Sequence, residues 1–417
     1  MTTDQPASPV ANATPGSRSR ISELDALRGL AALGVVIFHF TGVYDATFGH
    51  RADIPGFELG QRGVQLFFML SGFVIFMSLD RVDDSAQFVR SRAVRLYPAF
   101  WASILLTAAV VGLFGLPGRE TGWWEALANV TMIHRWLGVA DVDGVYWTLA
   151  VELGFYALMF GMHRLRVLDR VEVLGGVVVF VTFWLVGFDA TNGDLLGRHD
   201  TFRLFLGSLH LFYAGILLYR LPAHHSPRAV GLLAFCVVVE AYYDPHTVAF
   251  VALAGGVLGY SAHRGLPALR FRPLLFLGAI AYPLYLLHMN IGFVMMRGLY
   301  GAGIEHPVLV LGIPTAAVIA LASAVHYAVE LPAQRWIRAR IRRDASSEAP
   351  VASPELVALP LDPAASSSAV TGGRLYNAPH ARSSDVVPEE APPWRQSRRP
   401  VALAALPSPA PATTSRT

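Results

Sequence analysis

The sequence lacks lysine altogether, has a single cysteine, Cys236, and has charged side chains at only 15% of its 417 positions. One cysteine cannot form a disulfide within the chain, and it has no second cysteine at the spacing of a zinc or iron–sulfur site. All 33 basic residues are arginines, and they lie between apolar segments without forming one nucleic-acid-binding face. With 53% hydrophobic residues, the chain is too apolar for a water-soluble globular protein.

The common signatures of several enzyme classes are also missing. There is no His-Glu-x-x-His, no Walker loop, no Gly-x-Ser-x-Gly and no Rossmann fingerprint. These absences argue against zinc proteases, nucleotide hydrolases, serine hydrolases and dinucleotide enzymes. We therefore expect neither a metal ion nor a bound cofactor.

Long apolar runs dominate the chain up to about residue 343. A helix needs about 20 mostly apolar residues to cross about 30 Å of hydrocarbon. Such runs predict an all-α, polytopic membrane helix bundle of about ten transmembrane helices. The first run is too long, and too far from a small-residue cleavage site, for a removable signal peptide, so we expect it to remain as an anchor. The runs lie at about 25–44, 61–79, 95–115, 145–162, 171–188, 203–220, 228–243, 246–262, 272–296 and 306–328.

The arginines indicate how this bundle is oriented. If the N-terminus is cytoplasmic, 20 of the 33 arginines flank the spans on the cytoplasmic side, seven lie on the opposite side and six lie in the C-terminal tail. Cytoplasmic loops of membrane proteins carry such an excess of basic residues. We therefore predict a multi-pass protein of the plasma membrane with both termini cytoplasmic.

Both ends of the chain differ from the apolar middle. Residues 344–417 are rich in Pro, Ala and Ser and contain 12 of the 27 prolines, and they have few large apolar side chains. Such a composition buries too little surface to offset the entropy lost on ordering. We expect a disordered arm at 1–21, a transmembrane domain at 22–343 and a disordered cytoplasmic tail at 344–417.

Arg28 and His39 are the clearest functional candidates, because ionisable groups at membrane depth are costly. They are 11 residues apart, which places them within about 20° of the same helix face and about 16 Å apart along it. Arg28 alone could be a snorkelling anchor, and His39 alone could be satisfied by a neighbouring helix. Their alignment favours a shared role.

Arg92 and Arg95 form a second candidate pair just before Leu96-Tyr97-Pro98. Three residues apart, they share a helix face, and their planar guanidinium groups suit phosphate oxygens. The alternative is that they only mark the cytoplasmic side.

Further polar side chains fall inside later spans. Glu152 lies a turn or two inside the fourth span, and Tyr156 lies one turn further on the same face. Without an arginine, a histidine or a polar substrate beside it, that carboxyl would be costly to bury. The ninth span adds Tyr285 and His288, beside a Pro283 that could kink the helix. Glu330, at the end of the tenth span, is interpreted as a structural cap.

Four patterns occur in one order: Arg28 and His39 with ten residues between them, Arg92-x-x-Arg95, Trp147 before Glu152-x-x-Phe155-Tyr156, and Tyr285-x-x-His288. Together they resemble the integral-membrane acyltransferase family 3, over about residues 22–340. The resemblance implies transfer of an acyl group, often acetyl, from cytoplasmic acyl-CoA to a hydroxyl of a carbohydrate or a glycosylated metabolite. The implied partners are acyl-CoA as co-substrate, that acceptor and the lipid bilayer, with no nucleic acid.

The resemblance and the residue patterns lead to one hypothesis about the site. Three arginines at the cytoplasmic boundary would bind acyl-CoA: Arg28, Arg92 and Arg95. His39 would act as general base, with Glu152 orienting it, stabilising its charge or binding acceptor hydroxyls. A covalent acyl-histidine is the alternative to direct transfer. The side chains expected to line the cavity are Tyr156, Tyr285 and His288.

A transporter or flippase is the competing hypothesis from another class. Buried Arg, His and Glu side chains could relay protons or bind an anionic or lipid-linked solute. A transporter needs charged groups near its midplane, however, and has no special need for a cluster of arginines at one face. The position of Arg28, Arg92 and Arg95 therefore favours the enzyme.

Overall fold

The computed structural model describes residues 21–82, 84–192, 200–224 and 226–347. In this part of the chain the regular secondary structure is helical throughout, without a β-strand, as predicted. Contacts divide the chain into two units. The bundle of long helices belongs to the first unit, which contains the residues up to Arg340. The predicted arm and tail fall almost wholly outside the described residues, so they stay predictions.

Helices α4, α11 and α12 each contain an internal proline, and two short π-helical segments interrupt the helical path, at His39–Val43 and at His326–Glu330. The α-helices are α1 Ser22–Phe38, α2 Tyr44–Phe48, α3 Gly63–Leu79, α4 Ser85–Phe114, α5 Trp123–Asn129, α6 Trp147–Arg164, α7 Val171–Asn192, α8 Asp200–His224, α9 Pro227–Tyr243, α10 Val248–Arg264, α11 Arg272–Gly301, α12 Pro307–Val325 and α13 Leu331–Ser347.

Eight helical segments of the described chain are long and apolar enough to cross a membrane. They coincide with eight of the predicted spans and confirm a polytopic all-α bundle. The other two predicted spans form α9 and α10, which have 17 residues each. At 1.5 Å per residue these helices are about 25 Å long, less than the hydrocarbon thickness of about 30 Å. The expected count of ten is therefore reached only if both shorter helices are included.

Helices α1 and α11 form the central pair of the bundle and run in the same direction. Their backbones touch, since a Cβ atom on Gly29 would lie 2.5 Å from the amide nitrogen of Gly278. Near their beginnings, the Arg270 Nε donates to Glu23 at 2.7 Å. Further along, Phe40 packs against Gly292. We call the end at which both helices begin the N-terminal side, and the opposite end the far side.

Helices α3, α6 and α8 pack beside this pair. Gly72 of α3 lies against the backbone carbonyl of Phe212 in α8, where a Cβ atom would be 1.9 Å from the oxygen. The Phe212 ring stacks on Phe68 of α3 and on Phe155 of α6, with centroid distances of 4.7 and 4.2 Å. This stack fixes α6, and therefore Glu152, relative to α3.

Helix α7 has the least buried span of the eight, with only 17% of its most apolar window buried inside the protein. Large apolar side chains such as Trp184, which is 61% exposed, cover its surface. A helix that is apolar on its exposed side belongs in lipid. It therefore marks the lipid-facing edge of the bundle, away from the central pair.

Candidate active site

One cavity of about 530 Å³ lies between α1, α3, α4, α6 and α11. This volume is within the range of small-molecule sites in proteins. Six of the eight side chains singled out in the sequence line it: Arg28, Arg92, Arg95, Glu152, Tyr156 and Tyr285.

The three arginines come from two helices at the N-terminal side. Arg28 lies in the second turn of α1 and its Nη1 donates to Asp25 at 3.2 Å. Arg92 and Arg95 follow one another on the same face of α4, and the Nη2 of Arg92 donates to Ser78 at 2.7 Å. The Nε of Arg92 is buried without a partner in the described chain. Each arginine therefore keeps donors for a ligand in the cavity.

Glu152 faces this cationic end from α6. One carboxylate oxygen, Oε1, accepts two hydrogen bonds, from Ser71 at 2.7 Å and from Tyr156 at 2.6 Å. The carboxylate also interacts electrostatically with Arg28 and Arg92. Its hydrogen bonds come from these two hydroxyls and not from His39. In the described geometry Glu152 therefore does not orient that imidazole directly.

His39 and His288 form a pair where α1 and α11 lie side by side. His288 is fully buried and His39 is half-buried. The Nε2 of His288 is 3.2 Å from the Nδ1 of His39, and the ring centroids are 4.8 Å apart at an angle of 74°. Neither ring belongs to the cavity lining.

Backbone carbonyls define the tautomers of this pair. The Nδ1 of His288 is 2.8 Å from the carbonyl of Tyr285, which can only accept, so Nδ1 carries the hydrogen and Nε2 is an acceptor. The Nδ1 of His39 is 2.8 Å from the carbonyl of Val35 and therefore also carries hydrogen in the neutral ring. His39 thus keeps its Nε2 lone pair, which has no hydrogen-bond partner among the described residues.

Tyr285 connects the histidine pair to the cavity. It lines the cavity, and its ring centroid is 5.8 Å from that of His288. Its hydroxyl accepts a hydrogen bond from Thr148 at 2.9 Å. The cavity therefore extends from the arginines on the N-terminal side to Tyr285, whose ring lies against His288.

A polar strip of the cavity wall that was not predicted from the sequence lies on the π-helical turn after α12 and on α13. Glu330, interpreted as a cap, lines the cavity and accepts from Gln334 at 3.0 Å, and its other oxygen is 2.8 Å from the Nδ1 of His326. The i,i+4 spacing of His326 and Glu330 was the available signal. What the spacing could not indicate is the π-helical turn that contains both residues.

The other π-helical turn begins at His39 itself. Such turns are rare and occur preferentially at functional sites. Among the described residues no group of three His, Cys, Asp or Glu side chains could hold a metal ion. The chemistry available here is thus an imidazole base, a cluster of guanidinium groups and several hydroxyls.

Comparison with known proteins shows the family of this chain. A family described as "Acyltransferase domain", of the acyltransferase 3 type, matches residues 21–327, which include the histidine pair and most of the cavity lining. The chain belongs to the integral-membrane acyltransferase 3 family. It is therefore an acyltransferase, and its apolar helices make it a multi-pass membrane protein of that family.

Several curated acyltransferase 3 relatives are similar to this chain. The exopolysaccharide production protein ExoZ of Rhizobium meliloti is 27% identical over 57% of this chain and 79% of its own length. The putative peptidoglycan O-acetyltransferase YrhL of Bacillus subtilis is 27% identical over 64% of this chain and 48% of its own. The O-acetyltransferase OatA of Staphylococcus aureus is 22% identical over 75% and 57%. The chain thus spans about half the length of YrhL and OatA, and no solved structure gives a significant match.

Proposed function

We propose that this protein transfers an acyl group, often acetyl, from cytoplasmic acyl-CoA to a hydroxyl of a carbohydrate or a glycosylated metabolite. The observation that carries the proposal is a cavity with three arginines at one end and, at the other, Tyr285, whose ring lies against His288, the partner of His39. The relatives support the acceptor class, because their names include an exopolysaccharide protein and O-acetyltransferases.

The donor enters from the N-terminal side. The phosphates of coenzyme A are anionic, and guanidinium groups bind phosphate oxygens with paired hydrogen bonds. Arg28, Arg92 and Arg95 hold these phosphates, and the pantetheine arm extends into the cavity toward Tyr285. This orientation makes the N-terminal side the cytoplasmic side, in agreement with the distribution of arginines along the sequence.

His39 is the general base of the transfer. Its Nε2 takes the proton of the acceptor hydroxyl while the hydroxyl oxygen attacks the thioester carbonyl carbon. The tetrahedral intermediate then collapses, the carbon–sulfur bond breaks, and the leaving sulfur takes the proton back from the imidazolium. The products are the acyl ester and free coenzyme A thiol, and the imidazole returns to its starting state.

His288 is a positioning residue for this base. Its Nε2 and the carbonyl of Val35 both face the Nδ1–H of His39. Together they hold the tautomer in which Nε2 is the proton acceptor. Glu152, held by Ser71 and Tyr156, belongs instead to the donor end, where its charge balances the arginines.

The acceptor meets the donor at His39 from the far side of the membrane. The protein acts in the plasma membrane, where the donor is available on one face and envelope carbohydrates on the other. Acyl transfer here needs only acyl-CoA, the acceptor and the side chains named above.

Release of coenzyme A thiol from acetyl-CoA by the purified full-length protein in lipid tests the proposal, with and without an envelope glycan fraction. The wild type should release thiol, and the rate should increase with glycan. In Arg92→Ala, the KM for acetyl-CoA should rise about 10- to 100-fold, since a hydrogen bond to a charged group contributes about 1.5–3 kcal/mol.

Arg90→Ala is the matched control. Arg90 lies two residues away on the same helix, but it is 58% exposed and pairs with Asp84. Its removal should leave the KM unchanged. If wild-type protein releases no thiol and binds no acetyl-CoA, the donor assignment is wrong, and transport of an anionic solute becomes the better explanation of the arginine cluster.

A further inference from the structure

Arg119 reaches the histidine pair from the far side, by a loop whose function the sequence did not reveal. The chain leaves α4 through Gly115 and Gly118, both with positive φ, at 71° and 75°. Between them Leu116 is fully buried, and its carbonyl accepts from the amide of Arg119 at 2.9 Å. Two left-handed glycines and a buried leucine thus turn the chain back toward the bundle.

The guanidinium of Arg119 packs closely against Gly144. A Cβ atom on Gly144 would lie 3.1 Å from its Nη1 and 2.7 Å from the terminal methyl of Met289. Met289 directly follows His288 on α11. Arg119 therefore lies beside the histidine pair, on the side opposite the arginines that line the donor cavity.

The guanidinium donors of Arg119 are free of protein partners in the described chain. In the described part of the chain, no side chain or carbonyl accepts a hydrogen bond from its guanidinium, which is only half-buried. It interacts electrostatically with the ionisable groups of Asp143 and His39. An arginine remains protonated at every ordinary pH, so its donors are available to a ligand.

Asp143 neutralises this charge only in part. Its carboxyl is fully buried and already accepts from the amides of Asn290, at 3.0 Å, and of Val145, at 3.3 Å. Burial raises the pKa of Asp143 to about 7. Burial thus weakens Asp143 as a counter-charge, so its carboxyl offsets the charge of Arg119 only in part.

We propose that Arg119 binds an oxyanion group of the acceptor, a carboxylate or a phosphate, and so gives the enzyme a preference for acidic acceptors. The inference rests on the proposed function, because it requires an acceptor that meets the donor at His39. Donor phosphates engage the arginines of the N-terminal side. Of the two substrates, the acceptor is the one that arrives from the side of Arg119.

The test compares acidic and neutral acceptors. Envelope glycans of the source cells are separated by anion exchange into neutral, carboxylate-containing and phosphate-containing fractions. Each fraction is incubated with radiolabelled acetyl-CoA and the full-length protein in lipid. Wild-type protein should label one of the acidic fractions about tenfold faster than the neutral one. Whichever acidic fraction is labelled identifies the oxyanion.

Variants then assign this preference to the arginine. Arg119→Gln should lower labelling of the acidic fraction about tenfold or more, with the KM for acetyl-CoA unchanged. Arg119→Lys should recover part of the rate, because it restores a cation. Gly144→Ala, which adds a Cβ against the guanidinium, should give an intermediate loss. Arg51→Gln is the matched control, since Arg51 is a far-side arginine that pairs with Glu305.

The contrary results are distinct. Equal labelling of neutral and acidic fractions by the wild type, or an unchanged rate in Arg119→Gln, would overturn the inference. A raised KM for acetyl-CoA in Arg119→Gln would overturn it too, because Arg119 would then belong to the donor site. If the wild type releases no thiol with any fraction, the proposed function itself fails, and the inference with it.

Discussion

His39 and His210 both lie in helices of the bundle, but their rings have different partners. The Nε2 of His210 is 2.7 Å from Glu240, whose second oxygen accepts from Thr247 at 2.6 Å. All three side chains are buried and none lines the cavity. His39 instead has a carbonyl and a second histidine on its Nδ1, while its Nε2 has no partner in the described chain.

The difference separates a histidine that holds helices together from one that can exchange a proton. The carboxylate of Glu240 hydrogen-bonds to the Nε2 of His210, which occupies that nitrogen and links α8 to α9. In the His39 pair, the contacts fix the ring through Nδ1 and leave the other nitrogen accessible. The Nδ1 of His210 also lacks a partner in the described chain, but that atom is buried. Burial of the ring therefore does not identify a catalytic histidine; a nitrogen that is both unpartnered and accessible does.

The largest effect on turnover is expected for His39→Asn. Asparagine keeps a polar side chain of similar size but cannot accept the acceptor's proton. A general base contributes about 10²- to 10⁴-fold, so acetyl transfer should fall by about that factor. Radiolabelled transfer, normalised to the protein that elutes as a folded species, measures it. A loss of less than tenfold would mean that His39 is not the base.

His288→Leu should have the next largest effect. Removing the acceptor on the Nδ1–H of His39 should lower kcat by about 5- to 100-fold, the equivalent of about 1–3 kcal/mol for one buried hydrogen bond. The KM for acetyl-CoA should not change, because the arginines are untouched. His288→Gln keeps an acceptor oxygen and should recover part of kcat. An equal loss in both variants would favour a purely structural role.

His210→Ala should leave kcat per folded molecule within about twofold of the wild type and should instead lower stability. It leaves the Glu240 carboxyl buried with one hydroxyl partner, and breaking a buried pair costs about 3–5 kcal/mol. Thermal unfolding in lipid measures the loss. A large fall in kcat at full stability would erase the contrast between the two histidines.

Glu240→Gln should have the smallest effect. The amide can keep one partner on its oxygen and another on its nitrogen, so the free energy of unfolding should fall by only about 1 kcal/mol. A loss as large as that of His210→Ala would show that the pair depends on charge rather than on hydrogen bonding.

The fold class could be predicted from the sequence, because few backbone structures allow a long apolar segment to cross lipid. The predicted span count and the helix lengths differ at α9 and α10. The apolar composition continues there, but the two helices end at turns at Asp244 and Gly265. The grouping of Arg28, Arg92 and Arg95 could also be anticipated from spacing. All three are arginines near the ends of predicted spans, at the membrane side where an anionic ligand was expected to bind.

Contacts between different helices could not be predicted from the sequence in the same way. Periodicity aligned His39 with Arg28 on one helix, but nothing in it indicated that Gly29 and Gly278 bring α1 and α11 into backbone contact, and so pair His39 with His288. The partners of Glu152 depended equally on how α3 meets α6. Arg119 escaped notice because a loop arginine carries no periodic signal.

The π-helical turn at His39–Val43 has a consequence for comparing such chains residue by residue. A π turn holds one residue more than an α-helical path of the same length. Deleting one residue of 40–43 would therefore convert this turn into an α-helical path and leave the helical segments before and after it in their present orientation. Tyr44, now 5.3 Å from Phe293, would keep its place in the aromatic cluster at this end of the helix. In an alignment, a gap at this point would mark the loss of the widened turn rather than a shorter loop.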